Sequence, residues 1–209
     1  MAETALPLAE DAGNRRVYAL DDNEEMCRSL DALLSSAGYD LQYFTCPKAF
    51  LAAKDQLEPG VLLLDLRMPD IDGMEILSKI GPDNDRFRTI VFTAHGEIET
   101  AVKAIKLGAR DFLQKPFHED KLFEILDRES KELGSPQPEP PTSSLLDLMS
   151  PRERDVVQML AKGMPNKVIA AELDISVRTV EMHRARAMQR LGCRSFADLL
   201  RLVFSSNPD

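Results

Sequence analysis

Asp21-Asp22, Asp65, Thr93 and Lys115 each close a short apolar run in the first part of the chain. The runs are Val17-Tyr18-Ala19-Leu20, Val61-Leu62-Leu63-Leu64, Thr89-Ile90-Val91-Phe92 and Asp111-Phe112-Leu113-Gln114. Four aliphatic residues without alternation, as at Val61 to Leu64, read as a strand buried on both faces. The Met68-Pro69-Asp70-Ile71-Asp72-Gly73 stretch that follows reads as a turn. Asp65 therefore stands where an apolar strand runs out into a loop. In open α/β sheets that edge is where ligands bind. Carboxylates converging there repel one another unless a cation joins them. An all-oxygen, carboxylate-lined site suits Mg²⁺. Neither common Gly-rich phosphate loop is present, which argues against a nucleotide.

The elements that must position these residues alternate in type. Asn23 is a candidate N-cap for a helix carrying Met26, Leu30, Leu33 and Leu34, ended by Gly38. Leu41 to Phe44 reads as a strand, and Pro47 opens a helix to about residue 55. Met74, Ile76, Leu77 and Ile80 mark a further helix, and Ile98, Val102, Ile105 and Leu107 another. Leu122, Phe123, Ile125 and Leu126 mark the last of this set. Five strand–helix alternations predict an α/β fold with a doubly wound, five-stranded parallel sheet.

The order and identity of these residues carry a resemblance. Residues 15–131 resemble a CheY-like receiver domain, through Asp21-Asp22, Asp65, the Met68-Pro69-x-x-Asp72-Gly73 turn, Thr93-Ala94 and Phe112-Leu113-x-Lys115-Pro116-Phe117. The resemblance implies that Asp65 accepts a phosphoryl group from a sensor histidine kinase as an acyl phosphate. It implies Mg²⁺ held by Asp22, Asp65 and the Arg67 backbone carbonyl, with Asp21 acting through water. Lys115 and the metal would neutralise the transferring oxygens. Thr93 would bond the phosphoryl group, Phe112 would swing into the space vacated, and the Lys115-Pro116 bond would be cis. Many receivers have Tyr or His where this chain has Phe112, so the switch here would rest on packing alone. Arg67 and His95 would flank the site and tune how fast water removes the phosphate.

The rest of the chain differs in charge. Residues 1–134 hold 16 basic and 26 acidic side chains, whereas residues 150–204 hold 10 and 6. The back part is the one suited to a polyanion. Residues 1–14 read as a disordered lead without the order of a signal peptide, 15–132 as the first domain, 133–146 as a Pro-rich linker and 147–206 as a small all-α domain. Ser150-Pro151-Arg152-Glu153 opens a helix with a capping box. A helix from Asn166 to Leu173, a tight Asp174-Ile175-Ser176 connection and a helix from Val177 to Leu191 make a helix-turn-helix. In these, Val168, Ile169, Leu173, Val180, Ala187 and Leu191 are expected inward. Ser195 and Asp198 start a fourth helix, whose Phe196, Leu200 and Phe204 are either core or a dimer surface.

Residues 149–203 resemble the LuxR-type DNA-binding domain of the FixJ-like subgroup, through Met149-Ser150-Pro151-Arg152-Glu153-Arg154, Asn166-Lys167, Leu173-x-Ile175-Ser176, Thr179-Val180-Glu181-x-His183-Arg184 and Arg190-Leu191-Gly192. The resemblance implies that Lys167, Arg178 and Thr179 touch phosphates, with Asn166 beside them. Glu181, Met182 and Ala185, with Arg184 or Arg186, would face bases. Pro165 stands where the family usually has a capping Ser, which can divert Asn166 to that task. Together the two resemblances imply a cytoplasmic response regulator that dimerises on phosphorylation and binds double-stranded promoter DNA. A phosphatase with an aspartyl nucleophile would need an acid where Arg67 stands. A pure interaction module would not need the arginines of the 177–191 helix. Widely spaced Cys27, Cys46 and Cys193 fit reduced thiols, and no apolar run is long enough to cross a membrane.

Overall fold

The computed structural model describes residues 15–82, 84, 86–94, 97–133 and 148–206. The lead, most of the linker and His95 lie outside the described residues. The strands are β1 (Arg16–Leu20), β2 (Asp40–Phe44), β3 (Gly60–Leu64), β4 (Phe87–Thr93) and β5 (Asp111–Gln114). They pair in parallel in the order β2-β1-β3-β4-β5. Helices α1 (Glu24–Ser36), α2 (Pro47–Ala53), α3 (Gly73–Ile80), α4 (Ile98–Lys106) and α5 (Glu119–Glu132) alternate with them. The α/β expectation holds, and the all-α part follows as α6 (Pro151–Ala161), α7 (Asn166–Glu172), α8 (Val177–Leu191) and α9 (Phe196–Ser206).

Burial explains the sheet's order. The central strands β1, β3 and β4 are covered on both faces, and Val61 to Leu64 are essentially inaccessible. β2 lies at an edge and is half exposed. Tyr18, Leu62, Leu64 and Val91 point to one apolar cluster and Val17, Leu63, Ile90 and Phe92 to the other, as alternation across a two-sided sheet requires.

β4 begins at Phe87, two residues before the expected Thr89. Arg88 conceals the start, because a charged residue in a central strand contradicts the apolar pattern. Its guanidinium is buried beside Glu129 at 3.9 Å and Glu132 at 3.7 Å. Such pairing is the condition for burying an arginine. Val168, expected inward, is 43% exposed. The short α7 presents Ile169 and Ala170 to the core instead, and Val168 falls on its outer side.

The turn after β3 is held by backbone proximity. Asp72 caps α3 by accepting from the Glu75 N–H at 2.9 Å. Gly73, the first residue of α3, lies against the backbone of the β3 exit. A Cβ there would stand 2.2 Å from the Asp65 carbonyl oxygen and 2.7 Å from the Leu66 Cα. Gly73→Ala should therefore destabilise by about 1–3 kcal/mol through overpacking, although alanine is the better helix former by up to about 1 kcal/mol. A lower urea midpoint at unchanged slope would show it.

Candidate phosphoacceptor site and nucleic-acid interface

The parallel sheet delivers the expected residues to one edge. Asp21 follows β1, Asp65 follows β3, Thr93 ends β4 and Lys115 follows β5. One ligand oxygen each from Asp21, Asp22 and Asp65 lies within 4.8 Å of the others. Asp21 and Asp65 are buried, Asp22 is exposed, and Thr93 is fully buried. The Lys115 ammonium sits 2.5 Å from Asp21 Oδ2 and 3.5 Å from Asp65 Oδ2, and 4.4 Å from the centre of the Phe92 ring. The Lys115-Pro116 bond is cis. A single ammonium thus answers three carboxylates, and the site keeps a net negative charge suited to a small divalent cation.

The two oxygens of Asp65 differ. Oδ1 accepts from the Leu66 N–H at 2.8 Å, with the Arg67 N–H at 3.5 Å. Oδ2 faces Lys115. One oxygen anchors the carboxylate and the other is presented to the site. Asp21 Oδ1 likewise accepts from the Asn23 N–H at 2.9 Å. Beneath them Cys27 donates to the Asp21 carbonyl at 3.5 Å. Burial, helped by the Asp21 carboxylate, pushes its thiol up to about 11, so it stays neutral and serves as wall.

In the helical part, Ser176 caps α8 by accepting from the Thr179 N–H at 3.0 Å and bonds the Thr179 hydroxyl at 2.8 Å. The turn before it needs a left-handed residue, supplied by Asp174 at φ 53°, a conformation aspartate tolerates. Arg178, Glu181, Met182, Ala185 and Arg186 are exposed on one side of α8, beside Lys167 of α7. Pro165 gives α7 no side-chain cap. The Asn166 side-chain oxygen is buried without a hydrogen-bond partner, so Asn166 has not been diverted to capping. Arg184 stands apart from this face, its guanidinium 5.7 Å from the Phe196 ring centre.

A contact that the sequence left open joins the two parts. α9 packs against α4 and β5, and α6 meets the start of α4. Arg201 donates to the Arg110 carbonyl, Lys106 lies 5.0 Å from the centre of the Phe204 ring, and Gly163 abuts Glu99. Leu200 and Phe196 face the side of the sheet that carries Phe112. The apolar stripes of α4 and α9 were the available signal, but each also packs within its own part of the chain, α4 on β5 and α9 on α6 and α8.

Comparison with known proteins agrees with this geometry. A profile described as "Response regulator receiver domain" matches residues 17–127, and one described as "Bacterial regulatory proteins, luxR family" matches residues 147–203. The chain belongs to the response regulators. It is 38% identical to the transcriptional regulatory protein FixJ of Bradyrhizobium diazoefficiens, over 90% of this chain and 93% of that protein. It is 35% identical to the tetrathionate response regulatory protein TtrR of Salmonella typhimurium, over 88% and 90%. Among solved structures, full-length FixJ from B. japonicum is 36% identical at a TM-score of 0.55, covering 93% of this chain and 97% of that one. This response regulator thus couples phosphorylation to control of transcription, through a receiver domain and a LuxR-type DNA-binding domain.

Losing the cap of the recognition helix should weaken both fold and binding. Ser176→Ala is expected to lower stability by about 1 kcal/mol, read by urea unfolding, and to reduce DNA affinity equally for every sequence tested.

Proposed function

We propose that Asp65 Oδ2 attacks the phosphorus of a sensor histidine kinase's phosphohistidine. A P–O bond forms as the P–N bond breaks, leaving an acyl phosphate on Asp65. The observation that carries this reading is the convergence of three carboxylates and Lys115 at one strand edge, with a single Asp65 oxygen left unanchored. The oxygen-only donor set fits Mg²⁺, which Asp21, Asp22, Asp65 and the Arg67 carbonyl would hold. When bound, the metal neutralises charge on the transferring oxygens. Lys115, already between Asp21 and Asp65, supplies the second positive charge. The Thr93 hydroxyl donates to the phosphoryl group once it is in place. The chain acts on itself and does not turn over a phosphate ester.

The switch runs through β5. Thr93 is the last residue of β4 and is paired in register with Gln114 of β5. Phe112, half-buried, lies on the same strand under α9. Movement of Thr93 toward the phosphate opens space for Phe112, and the surface on which α9 rests changes shape. α9 and the α4–β5–α5 face are both freed, and the chain dimerises. Two copies place two recognition helices on a two-part promoter site. In the resting arrangement the DNA-facing side of α8 is exposed, which favours occlusion of a dimer surface over occlusion of the recognition helix. Lys167, Asn166, Arg178 and Thr179 position the domain on phosphates. Glu181, Met182, Ala185 and Arg186 meet base edges, with Arg184 joining them after release from Phe196. No described helix is long and apolar enough to cross a membrane, and the proposed place of action is the cytoplasm.

Asp65→Asn should abolish phosphoryl uptake from a small phosphodonor with Mg²⁺, by intact mass, while far-UV circular dichroism is unchanged. Uptake on another residue would refute the assignment. Lys106→Ala removes a cation–π contact of α9 worth about 0.5–1 kcal/mol at an exposed site. Unphosphorylated DNA affinity should then rise about 2–5-fold, measured by fluorescence anisotropy, with little change in the phosphorylated form.

A further inference from the structure

Between the receiver and α8–α9 lies a cavity of about 430 Å³. Its size falls within the range of small-molecule sites, roughly 300–1,000 Å³. Its apolar walls come from both domains: Ile105 and Phe112 on one side, Met188 and Leu200 on the other. Three cationic side chains from three separate elements also line it: Lys121 of α5, Arg184 of α8 and Arg194 just before α9. Lys121 pairs with Glu124 at 2.9 Å on the outside. Arg184 and Arg194 have no carboxylate partner among the described residues, Arg184 meeting only the Phe196 ring. The one acid in the lining, Asp111, is already neutralised by Arg128 at 2.5 Å and accepts from the Phe112 N–H at 2.8 Å.

A partly apolar chamber lined by two arginine side chains without a carboxylate partner among the described residues, with Lys121 opposite them, matches one ligand chemistry. We propose that this cavity binds a small organic anion with an apolar body, a carboxylate, sulfonate or phosphate ester. Bound there, the anion joins Lys121 of the receiver to Arg184 and Arg194 of the DNA-binding domain and holds the closed arrangement. The ligand therefore opposes activation. By reciprocity, phosphorylation weakens its binding by the same factor that the ligand weakens activation. This inference rests on the resting arrangement described under Proposed function.

The test titrates the full-length protein with 1-anilinonaphthalene-8-sulfonate. In parallel it uses N-phenyl-1-naphthylamine, the same ring system without the anion. The sulfonate should bind one saturable site, and the neutral dye at least tenfold more weakly. The double variant Lys121→Glu with Arg194→Glu should weaken the sulfonate tenfold or more at unchanged circular dichroism. Arg194→Ala, at an exposed position, should weaken it about threefold and guards against a folding defect in the double variant. Beryllofluoride with Mg²⁺ should release the dye. Equal binding of both dyes, or indifference to the variants, overturns the site. Dye retained undiminished by a protein that dimerises with beryllofluoride overturns its place between the domains and leaves the phosphorylation reading standing. Dye binding that depends on Arg194, in a protein that beryllofluoride does not affect at all, supports the cavity and sinks the phosphorylation reading.

Discussion

Like charges brought to one edge of a buried parallel sheet set the terms for the rest of this structure. Three carboxylates gathered at that edge cost free energy that only a cation offsets. Lys115 supplies part of the answer, reaching Asp21 and Asp65 from the end of β5. The strands must hold these groups together against their repulsion, which β1, β3 and β4, covered on both faces, do. The turn after β3 must also stay tight, and Gly73 makes that possible by leaving no atom where Asp65's carbonyl lies. A site held this way responds strongly to any change of charge, such as the phosphoryl group proposed for Asp65.

In the proposed switch the response is carried by a neighbouring strand pair and read on the surface. β4 ends at Thr93, β5 carries Phe112 and begins at Asp111, and Asp111 is tied to Arg128 of α5. The buried network continues through Glu129 to Arg88. Burial holds the Glu129 carboxyl above its usual range, offset in part by the Arg128 guanidinium. The charges at this end of the receiver are paired, and α9 packs onto its flank with Arg201 donating to the Arg110 carbonyl. Burial, and the nearby Arg88 and Arg201, in turn lower the Arg110 guanidinium. The same flank thus serves the sheet's interior and the second domain at once.

Much of this was legible in the residues. Val61 to Leu64 announce a buried strand, and Asp65 follows directly. Ser176 with Thr179, and Ser150 with Glu153, mark helix starts through local bonding that needs no tertiary information. What escaped was tertiary in cause. Arg88 hid the start of β4 because its partners lie more than forty positions away in α5. Val168 turned outward because α7 is too short to bury a wide stripe. Phe196, Leu200 and Phe204 showed an apolar stripe without showing what covers it. No periodicity encodes which surface an exposed stripe meets.

The contact between α9 and the receiver, made within one chain, has a consequence for how the protein is poised. The receiver and the DNA-binding domain belong to one chain, so their docking is a unimolecular event. Linkage within one chain gives effective concentrations on the order of millimolar. A contact too feeble to hold two separate molecules together is then enough to keep one molecule shut. Under the proposed switch, a single covalent modification need supply only the free energy of that tethered contact to reverse it. Under the proposed switch, strengthening that contact would make a quieter protein, and separating the domains would leave a DNA-binding domain that no longer listens to Asp65.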